Sequence, residues 1–312
     1  MILKIIIVCQ FFFILWFFCL MRTVLLAGAT GTLGRELIPA LSKKGYQVKV
    51  IAREQSKKRL SILSDDIHEI ITAEVTQPNT LQGICDNVDI VISTLGITRQ
   101  RDKLTYQQVD FKANVNLMRE AERAGAKKFV YISVIDADSI QNVPVITAKR
   151  QFELALMNCR INWLIFRPSG FFTDTLEVFK MAQAGRVHLF GDGENVLTPI
   201  DVADLAHIIV DEMSQKTNVA RTVGGPEDLT WNELATLCFD VLQKRPRIYH
   251  WPTWILTMLL VITKRVAPYA YGPMSFMGHV LTHNSTASKL GKRTLLNFLE
   301  KTLEGVKTEK LG

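Results

Sequence analysis

Cysteine is scarce in this sequence, and no two cysteines are spaced for joint chemistry. The 312 residues include five cysteines, with no Cys-x-x-Cys pair and no histidine cluster beside any of them. This pattern excludes the common zinc and dithiol motifs, so we expect no metal site. Isolated cysteines are typical of small buried apolar side chains in a reducing compartment, and we therefore expect a cytoplasmic location.

A basic stripe with interleaved aromatic residues is also missing. The formal net charge is +7, from 37 Lys and Arg residues and 30 Asp and Glu residues, and the two signs are interleaved. We therefore expect no nucleic-acid partner. A phosphate-rich ligand or an anionic membrane surface would suit this mild positive charge equally well. With 48% hydrophobic residues, the chain has enough apolar material for one large or two modest domains.

The segment VLLAGATGTLGREL, residues 24–37, combines a buried strand, a glycine turn and the start of a helix. In the turn, Gly28 permits a sharp bend, Gly31 permits close approach of a pyrophosphate, and Gly34 permits close packing of helix on strand. The unpaired N–H groups and the dipole of the helix favour an anion at its amino end. A turn at Gly45 and a strand at 47–52 complete a strand–helix–strand unit, which favours a dinucleotide site over a plain turn.

Arg53 follows this second strand, at the position where an acidic residue would select NAD. A guanidinium can instead bind a 2′-phosphate through paired bonds, and Lys57 and Lys58 lie just beyond it. We therefore expect NADP(H) as the cofactor. Glu54 argues in the opposite direction, and an Arg53 that is merely solvated on a loop is the alternative interpretation.

Strands alternate with helices through the first two thirds of the chain. Further strands are predicted at 68–72, 90–93, 128–133 and 162–167, and a long helix at 105–124, closed by Gly125. This order predicts an α/β fold: a doubly wound parallel Rossmann sheet in residues 22–225. A smaller, substrate-side C-terminal region would occupy residues 226–312, and a hydrophobic segment, residues 1–21, precedes the sheet.

Several sequence motifs resemble those of the atypical short-chain dehydrogenase/reductases. The resemblance includes the NmrA-like, isoflavone-reductase-like and divinyl chlorophyllide 8-vinyl reductase branch, and it covers roughly residues 22–245. The motifs are GATGxxG from Gly28, IFRPSGFF at 165–172, FGDG at 190–193, TPIDVADLA at 198–206 and VGGPEDLTWNEL at 223–234.

This resemblance implies three groups of cofactor contacts besides Arg53 and Lys149. They are the turn residues Gly28, Thr30, Gly31, Thr32, Leu33 and Gly34; the loop residues Thr94, Leu95 and Gly96; and Arg167, Pro168 and Ser169 beside the nicotinamide. For Thr94, an ordinary strand end is an equally acceptable interpretation. Asp201 and Asp204 are interpreted as capping residues of a helix that begins there.

The chain departs from the family pattern at the usual catalytic tyrosine. Lys149 stands where the lysine of Tyr-x-x-x-Lys belongs, but Val145 replaces the tyrosine and cannot donate a proton. We therefore assign Lys149 and Ser133 as candidate catalytic residues. Lys149 could deliver a proton or could only hold the nicotinamide ribose, and Ser133 could bind substrate or cofactor.

The resemblance implies an NADPH-dependent reductase that reduces a C=C or C=O bond of a hydrophobic small molecule. The alternative is a non-catalytic NAD(P)-binding sensor, or an assembly or accessory protein of a membrane complex, similar to NmrA-type sensors or the nucleotide-binding accessory subunit of complex I. The apolar stretch 251–280 is compatible with a core helix, a lid over a substrate, or an interfacial helix on a membrane surface.

Residues 1–21 have two open interpretations. Residues 5–21 are apolar except for Gln10, which is barely enough to span a bilayer, and they lack the cleavage site of a signal peptide. The segment could be a membrane anchor. It could instead be an upstream extension, because the sequence from Met21 resembles the start of a cytosolic member of the family.

Overall fold

Eleven strands form the β structure in a computed structural model that describes residues 22–97, 104–140 and 142–309. They are β1 Thr23–Ala27, β2 Gln47–Ala52, β3 Glu69–Thr72, β4 Ile90–Ser93, β5 Lys128–Ile132, β6 Asn162–Pro168, β7 Val187–Phe190, β8 Val196–Leu197, β9 Val219–Val223, β10 Leu229–Thr230 and β11 Ile248–Trp251. Seven of them make one parallel sheet in the order β3-β2-β1-β4-β5-β6-β9. The chain therefore changes direction across the sheet between β1 and β4, which is where open α/β folds place their ligands.

Nine α-helices lie among the described residues. They are α1 Thr32–Lys43, α2 Asn114–Arg123, α3 Pro144–Met157, α4 Leu176–Gln183, α5 Val202–Glu212, α6 Trp231–Val241, α7 Thr253–Val266, α8 Pro268–Thr282 and α9 Leu295–Glu309. One apolar cluster lies under α1 and α5, and a second lies under α2 and α3. Residues 24–27 of β1 are fully buried because both faces are covered, which explains their uninterrupted apolar sequence. The predicted doubly wound parallel sheet is confirmed.

The predicted long helix at 105–124 is present, with an unexpected first part. Residues Gln107–Ala113 are π-helical and continue without a break into α2. Short π-helical stretches often accompany functional sites because they change the direction of the side chains. Gly125 then ends the helix with a φ of +74°.

A smaller apolar cluster lies beside the main sheet. It is formed by side chains from residues 172–197 and from residues 229–299. Strand β7 of the first segment pairs in parallel with β11 of the second. Segments on both sides of residue 225 thus share one core, and the domain boundary at that position stays a prediction. Asp201 accepts bonds from the amides of Ala203 and Asp204, so its predicted role as the cap of α5 is confirmed. The prediction was wrong for Asp204, whose carboxylate instead accepts bonds from the amides of Lys292 and Arg293.

Helices α7 and α8 form a hairpin, and α8 packs on the apolar cluster around α3. Gly272 of α8 lies directly against the ring of Tyr106, where a built Cβ atom would come within 2.3 Å of Cε2. Phe276 packs on the same cluster. Within the described ranges, no helix has the length and hydropathy needed to cross a bilayer. The proposed anchor, residues 1–21, lies outside them.

Candidate functional site

The carboxyl ends of the parallel strands bring the predicted site residues to one edge of the sheet. Gly28 follows β1, Arg53 follows β2, Thr94 follows β4, Ser133 follows β5 and Ser169 follows β6. The register places Ala27 beside Ser93 and Ser93 beside Tyr131, so these ends are level. The sheet therefore brings together residues that lie far apart in sequence. We call this edge, with the five residues named above, the ledge.

The glycine turn is sterically tight at two positions. Gly28 has a φ of +87°, and a built Cβ would lie 2.3 Å from Thr94 Oγ1. A Cβ on Gly34 would lie 2.2 Å from the Gly28 carbonyl oxygen. The turn is closed by a bond from the Gly31 amide to the Gly28 carbonyl, 3.0 Å. No larger residue fits at Gly28 or Gly34 without moving the backbone.

The amino end of α1 is open to an anion. Gly31 is the N-cap residue, no side chain caps the first turn, and that turn contains no acidic residue. Thr32 is exposed, whereas Leu33 is buried against the sheet, so only its backbone could contact a ligand. The first N–H groups of a helix have no partner within the helix and attract a phosphate. This geometry fits a pyrophosphate.

The loop after β4 is tied to the glycine turn and to the π-helical stretch. Thr94 Oγ1 lies 3.1 Å from the carbonyl oxygen of Ala27 and 3.2 Å from that of Gly28. Ser93 Oγ donates to Asn114 Oδ1 at 2.5 Å and accepts a bond from the Leu95 amide. The Thr94 hydroxyl thus holds the loop in place, which assigns it a structural contact in addition to the predicted cofactor contact.

Asn114 also satisfies the π-helical backbone. Its Nδ2 group donates to the carbonyl oxygens of Val109 and Asp110, at 3.3 and 2.9 Å. These bonds compensate for the altered helical pattern inside a buried region, where unpaired carbonyl groups are costly. Asn114 therefore couples the π-helical stretch to the loop after β4.

A buried ion pair lies next to that loop. Lys149 Nζ is 3.3 Å from Asp110 Oδ1, with the two side chains 14% and 0% exposed. The ammonium also donates to the Ile132 carbonyl at 3.3 Å, and Asp110 Oδ2 accepts a bond from the Ile97 amide. A Cβ on Gly96 would lie 2.8 Å from Asp110 Oδ1 and 3.0 Å from Lys149 Nζ. Gly96 thus permits the loop to pass directly over the ion pair.

Two hydroxyl groups near Lys149 are buried without a hydrogen-bond partner among the described residues. They are the Ser133 Oγ and the Tyr131 hydroxyl. Lys149 Nζ lies 5.4 Å from the centre of the Tyr131 ring. Burial raises the pKa of Tyr131 well above its usual value, so this phenol stays protonated. Ser133 follows β5 at the ledge, and its hydroxyl is a buried polar group whose hydrogen bond is not made by the described residues.

Burial raises the pKa of Asp110, while the Lys149 charge opposes that rise. We expect Lys149→Met to cost about 3 kcal/mol at neutral pH, because a charged Asp110 would remain buried without its cation. The loss should shrink as the pH falls through the raised pKa of Asp110 toward the unfolded-state value, since protonation removes the unpaired charge. Urea denaturation across this pH range would measure it.

The double variant Asp110→Asn/Lys149→Met is the control for this pH dependence. It removes the titrating carboxylate together with its cation, so the change in stability with pH that Lys149→Met shows should be absent from its unfolding curves. A deficit for Lys149→Met that stayed constant with pH would contradict the assignment of Asp110 as the titrating partner.

Arg53 lies at the mouth of a cleft between the ends of β2 and β3. Its side chain is exposed, and within the described ranges it has no ion-pair partner. Glu54, the residue that argued against NADP(H), pairs with Lys57 at 2.8 Å, which holds the pKa of the Glu54 carboxyl below its usual value. The cleft, of about 570 Å³, is also lined by Thr72 and Thr80. Its position and its cation suit the adenosine end of a dinucleotide.

The structure places Arg167 in a buried network. Its guanidinium contacts Glu153 through Nε and Nη2, at 3.0 and 2.7 Å, and contacts Asp138 through Nη1 at 2.5 Å. The Pro168 carbonyl accepts a bond from the Ile135 amide, and Ser169 Oγ donates to the Thr198 carbonyl. These three residues shape the end of β6, and their predicted contacts with the nicotinamide remain predictions.

Asp110 and Asn114 are site residues that could not be identified from the sequence motifs. Both lie on the helix face that continues as the buried stripe Leu117, Met118 and Ala121. Polar residues on an otherwise apolar stripe are a usable signal, because burying them requires specific partners.

A family model described as NAD(P)H-binding matches residues 28–216. In sequence, the chain is 28% identical to the photosystem II assembly factor Ycf39 of Synechocystis sp., over 77% of this chain and 74% of that protein. It is 26% identical to the chloroplastic divinyl chlorophyllide a 8-vinyl-reductase of Arabidopsis thaliana, over 93% of this chain and 79% of that protein.

Among solved structures, the fold is similar to that of the NADPH-dependent quinone oxidoreductase of Escherichia coli, determined with NADPH. The TM-score is 0.73 at 19% identity, and the match covers 90% of this chain and 99% of the other. This level of identity supports the shared fold.

Proposed function

Because the chain belongs to the NAD(P)H-binding family whose model spans residues 28–216, we propose that it is an NADPH-dependent reductase. Its substrate in this proposal is a hydrophobic small molecule with a C=C or C=O bond. The 8-vinyl-reductase that is 26% identical over 93% of this chain supports the choice of reaction. The isolated buried cysteines Cys85 and Cys238 support a reducing, cytoplasmic setting. Membrane attachment through residues 1–21 is one of the two interpretations of that segment.

The observation that carries the proposal is that Lys149 donates to the Ile132 carbonyl, directly before Ser133, whose buried hydroxyl has no partner among the described residues. When bound, dihydronicotinamide supplies a hydride to the substrate, and the neighbouring substrate atom takes a proton. Ser133 Oγ can hydrogen-bond the substrate or the nicotinamide. The Asp110 carboxylate attracts the Lys149 ammonium and fixes it beside the loop after β4, which suits a group that holds a ribose hydroxyl.

Binding of the cofactor can be assigned to the chain's own groups. The uncapped amino end of α1 would hold the pyrophosphate, and the glycine turn would let it approach. Arg53 would hold the 2′-phosphate in the cleft after β2.

Arg53→Gln should weaken NADPH binding on the order of tenfold to a hundredfold and leave NADH binding nearly unchanged. The reason is that only NADPH carries the phosphate that the guanidinium would contact. Fluorescence titration with both nucleotides measures the ratio. Arg59→Gln is the matched control, because Arg59 is an exposed arginine in the segment Glu54–Asp66, which directly follows Arg53. Equal loss of both nucleotides would contradict a phosphate contact by Arg53.

Single-turnover oxidation of NADPH tests the reaction itself. The full chain is mixed with NADPH and then with hydrophobic enones, quinones or vinyl porphyrins, while the dihydronicotinamide absorbance is followed. Lys149→Met should lower the rate on the order of a hundredfold, whereas Lys112→Met, at an exposed lysine near Asp110, should not. Tight NADPH binding without oxidation by any acceptor would overturn the reductase proposal.

A second candidate function is a non-catalytic NAD(P)H-binding assembly or accessory protein. The observation that favours it is Val145, which is buried in an apolar cluster at the position of the usual catalytic tyrosine. The Ycf39 relative is named an assembly factor. NADPH binding without turnover in the experiment above, combined with a bound membrane-complex partner, would support this candidate.

A further inference from the structure

The outward face of α7 is apolar and exposed. Trp254 is 64% exposed and Val261 is 51% exposed, and Met258 lies between them on the same face. Arg265 continues this face at the carboxyl end of the helix. We call these four side chains the α7 face. A contiguous apolar surface of this kind usually marks an interaction site.

The α7 helix is apolar on its inner side as well. Leu256 is buried, and its side chain contacts Gly278 of α8. A helix that is apolar all round is normally covered on every side. At 14 residues, or about 21 Å, α7 is too short to cross a bilayer of about 30 Å. It has the right length to lie in the plane of a membrane surface.

The stretch of sequence that includes this helix has an excess of basic residues, of which Lys289 and Arg293 pair with carboxylates elsewhere in the chain. Residues 241–299 contain eight Lys and Arg residues and no Asp or Glu, so this segment departs from the interleaving of charges elsewhere. The other 29 basic residues are offset by 30 acidic ones. The net positive charge of the chain therefore comes from the segment that includes α7.

The chemistry at the ends of α7 fits a lipid headgroup region. Trp251 and Trp254 lie at the amino end, where amphipathic indole rings favour the boundary between headgroups and acyl chains. Lys264 and Arg265 lie at the carboxyl end, and long cationic side chains can extend from an apolar surface to lipid phosphates.

We infer that the α7 face binds the surface of an anionic lipid bilayer, with α7 lying in the membrane plane. Charge complementarity favours this occupant over a second copy of the chain, because two copies would bring together Lys264 and Arg265, which have no ion-pair partner among the described residues.

Binding of the full chain to protein-free vesicles tests this inference. The vesicles contain phosphatidylcholine alone, or equal parts of phosphatidylcholine and phosphatidylglycerol, and bound protein is measured by sedimentation. Arg265→Gln should weaken binding to the anionic vesicles about fivefold. Met258→Ser/Val261→Ser should weaken it on the order of tenfold. All variants retain residues 1–21, so differences between them report on α7.

Matched controls lie elsewhere on the surface. Ile62→Ser removes an apolar side chain that is 83% exposed, and Lys43→Gln removes an exposed charge. Neither should change vesicle binding by as much as twofold. NADPH binding by each variant verifies that its fold is intact.

Brominated acyl chains provide a readout specific to the helix. Trp254 fluorescence, taken as the difference between the wild type and Trp254→Phe, should be quenched by brominated lipids in anionic vesicles. Absence of this quenching would overturn the inference. So would binding to native membranes but not to protein-free vesicles, which indicates a protein partner, or dimerisation that the α7 variants abolish, which indicates a second copy.

Discussion

Replacing Gly34 with alanine is expected to destabilise the protein by about 3 kcal/mol and to weaken NADPH binding on the order of a hundredfold. The new Cβ would lie 2.2 Å from the Gly28 carbonyl oxygen and 2.8 Å from Ala29 Cα. Both are backbone atoms of the glycine turn, so no side chain can rotate away to relieve the clash. The amino end of α1 must move, and with it the N–H groups assigned to the pyrophosphate.

Gly305→Ala is the matched control. Gly305 also lies inside a helix, α9, but a built Cβ would meet no atom within 4 Å. Alanine there should raise stability by about 0.5–1 kcal/mol, because it favours the helical backbone. Thermal unfolding and NADPH titration of the two variants give the comparison. Similar behaviour of both would show that α1 does not pack on the turn as closely as described.

Arg167→Met is expected to lower the free energy of unfolding by about 3–5 kcal/mol. Glu153 is fully buried and accepts two bonds from Arg167, at 3.0 and 2.7 Å. Among the described residues, removing the guanidinium leaves this carboxylate with the Arg150 contact alone, at 2.8 Å. Glu153 would thus lose two of its three hydrogen bonds, and this loss is costly because water does not replace them in the interior.

The double variant Glu153→Leu/Arg167→Met should recover much of this loss, because it removes the buried charge together with its partner. Arg160→Met serves as the control for the chemical change itself, since Arg160 is exposed, and its effect should stay within about 0.5 kcal/mol. Urea denaturation measures all three. A double variant less stable than Arg167→Met alone would contradict the assignment of the stability loss to the buried Glu153 charge.

The sequence was sufficient to predict the first strand–helix–strand unit and the parallel sheet. Residues 24–27 are apolar without alternation, and the glycine turn that follows is a local feature whose requirements can be recognised without knowing the rest of the fold. Gly28 was identified from the glycine turn, and Thr94 and Ser133 from the resemblance to the atypical reductases; the sheet brings the three together because the carboxyl ends of parallel strands meet at one edge.

The ion pair between Asp110 and Lys149 could not be predicted in this way. Its geometry depends on the π-helical stretch, which changes the direction of Asp110, and on Asn114, which satisfies the altered backbone. The exposure of the outward side of α7 could not be predicted from the sequence either. Hydropathy identifies an apolar helix, but only the packing of α8 against one side shows that the other side is uncovered.

The contact between Gly272 and Tyr106 connects the α7–α8 hairpin to the site at the carboxyl edge of the sheet. Because position 272 has no side chain, the backbone of α8 rests on an aromatic ring that is itself 2% exposed, and the chain continues from that ring into the stretch with Asp110. Close-packed interiors are hardly compressible. A displacement of the α7–α8 hairpin would therefore also displace Tyr106 and the adjoining stretch that holds Asp110.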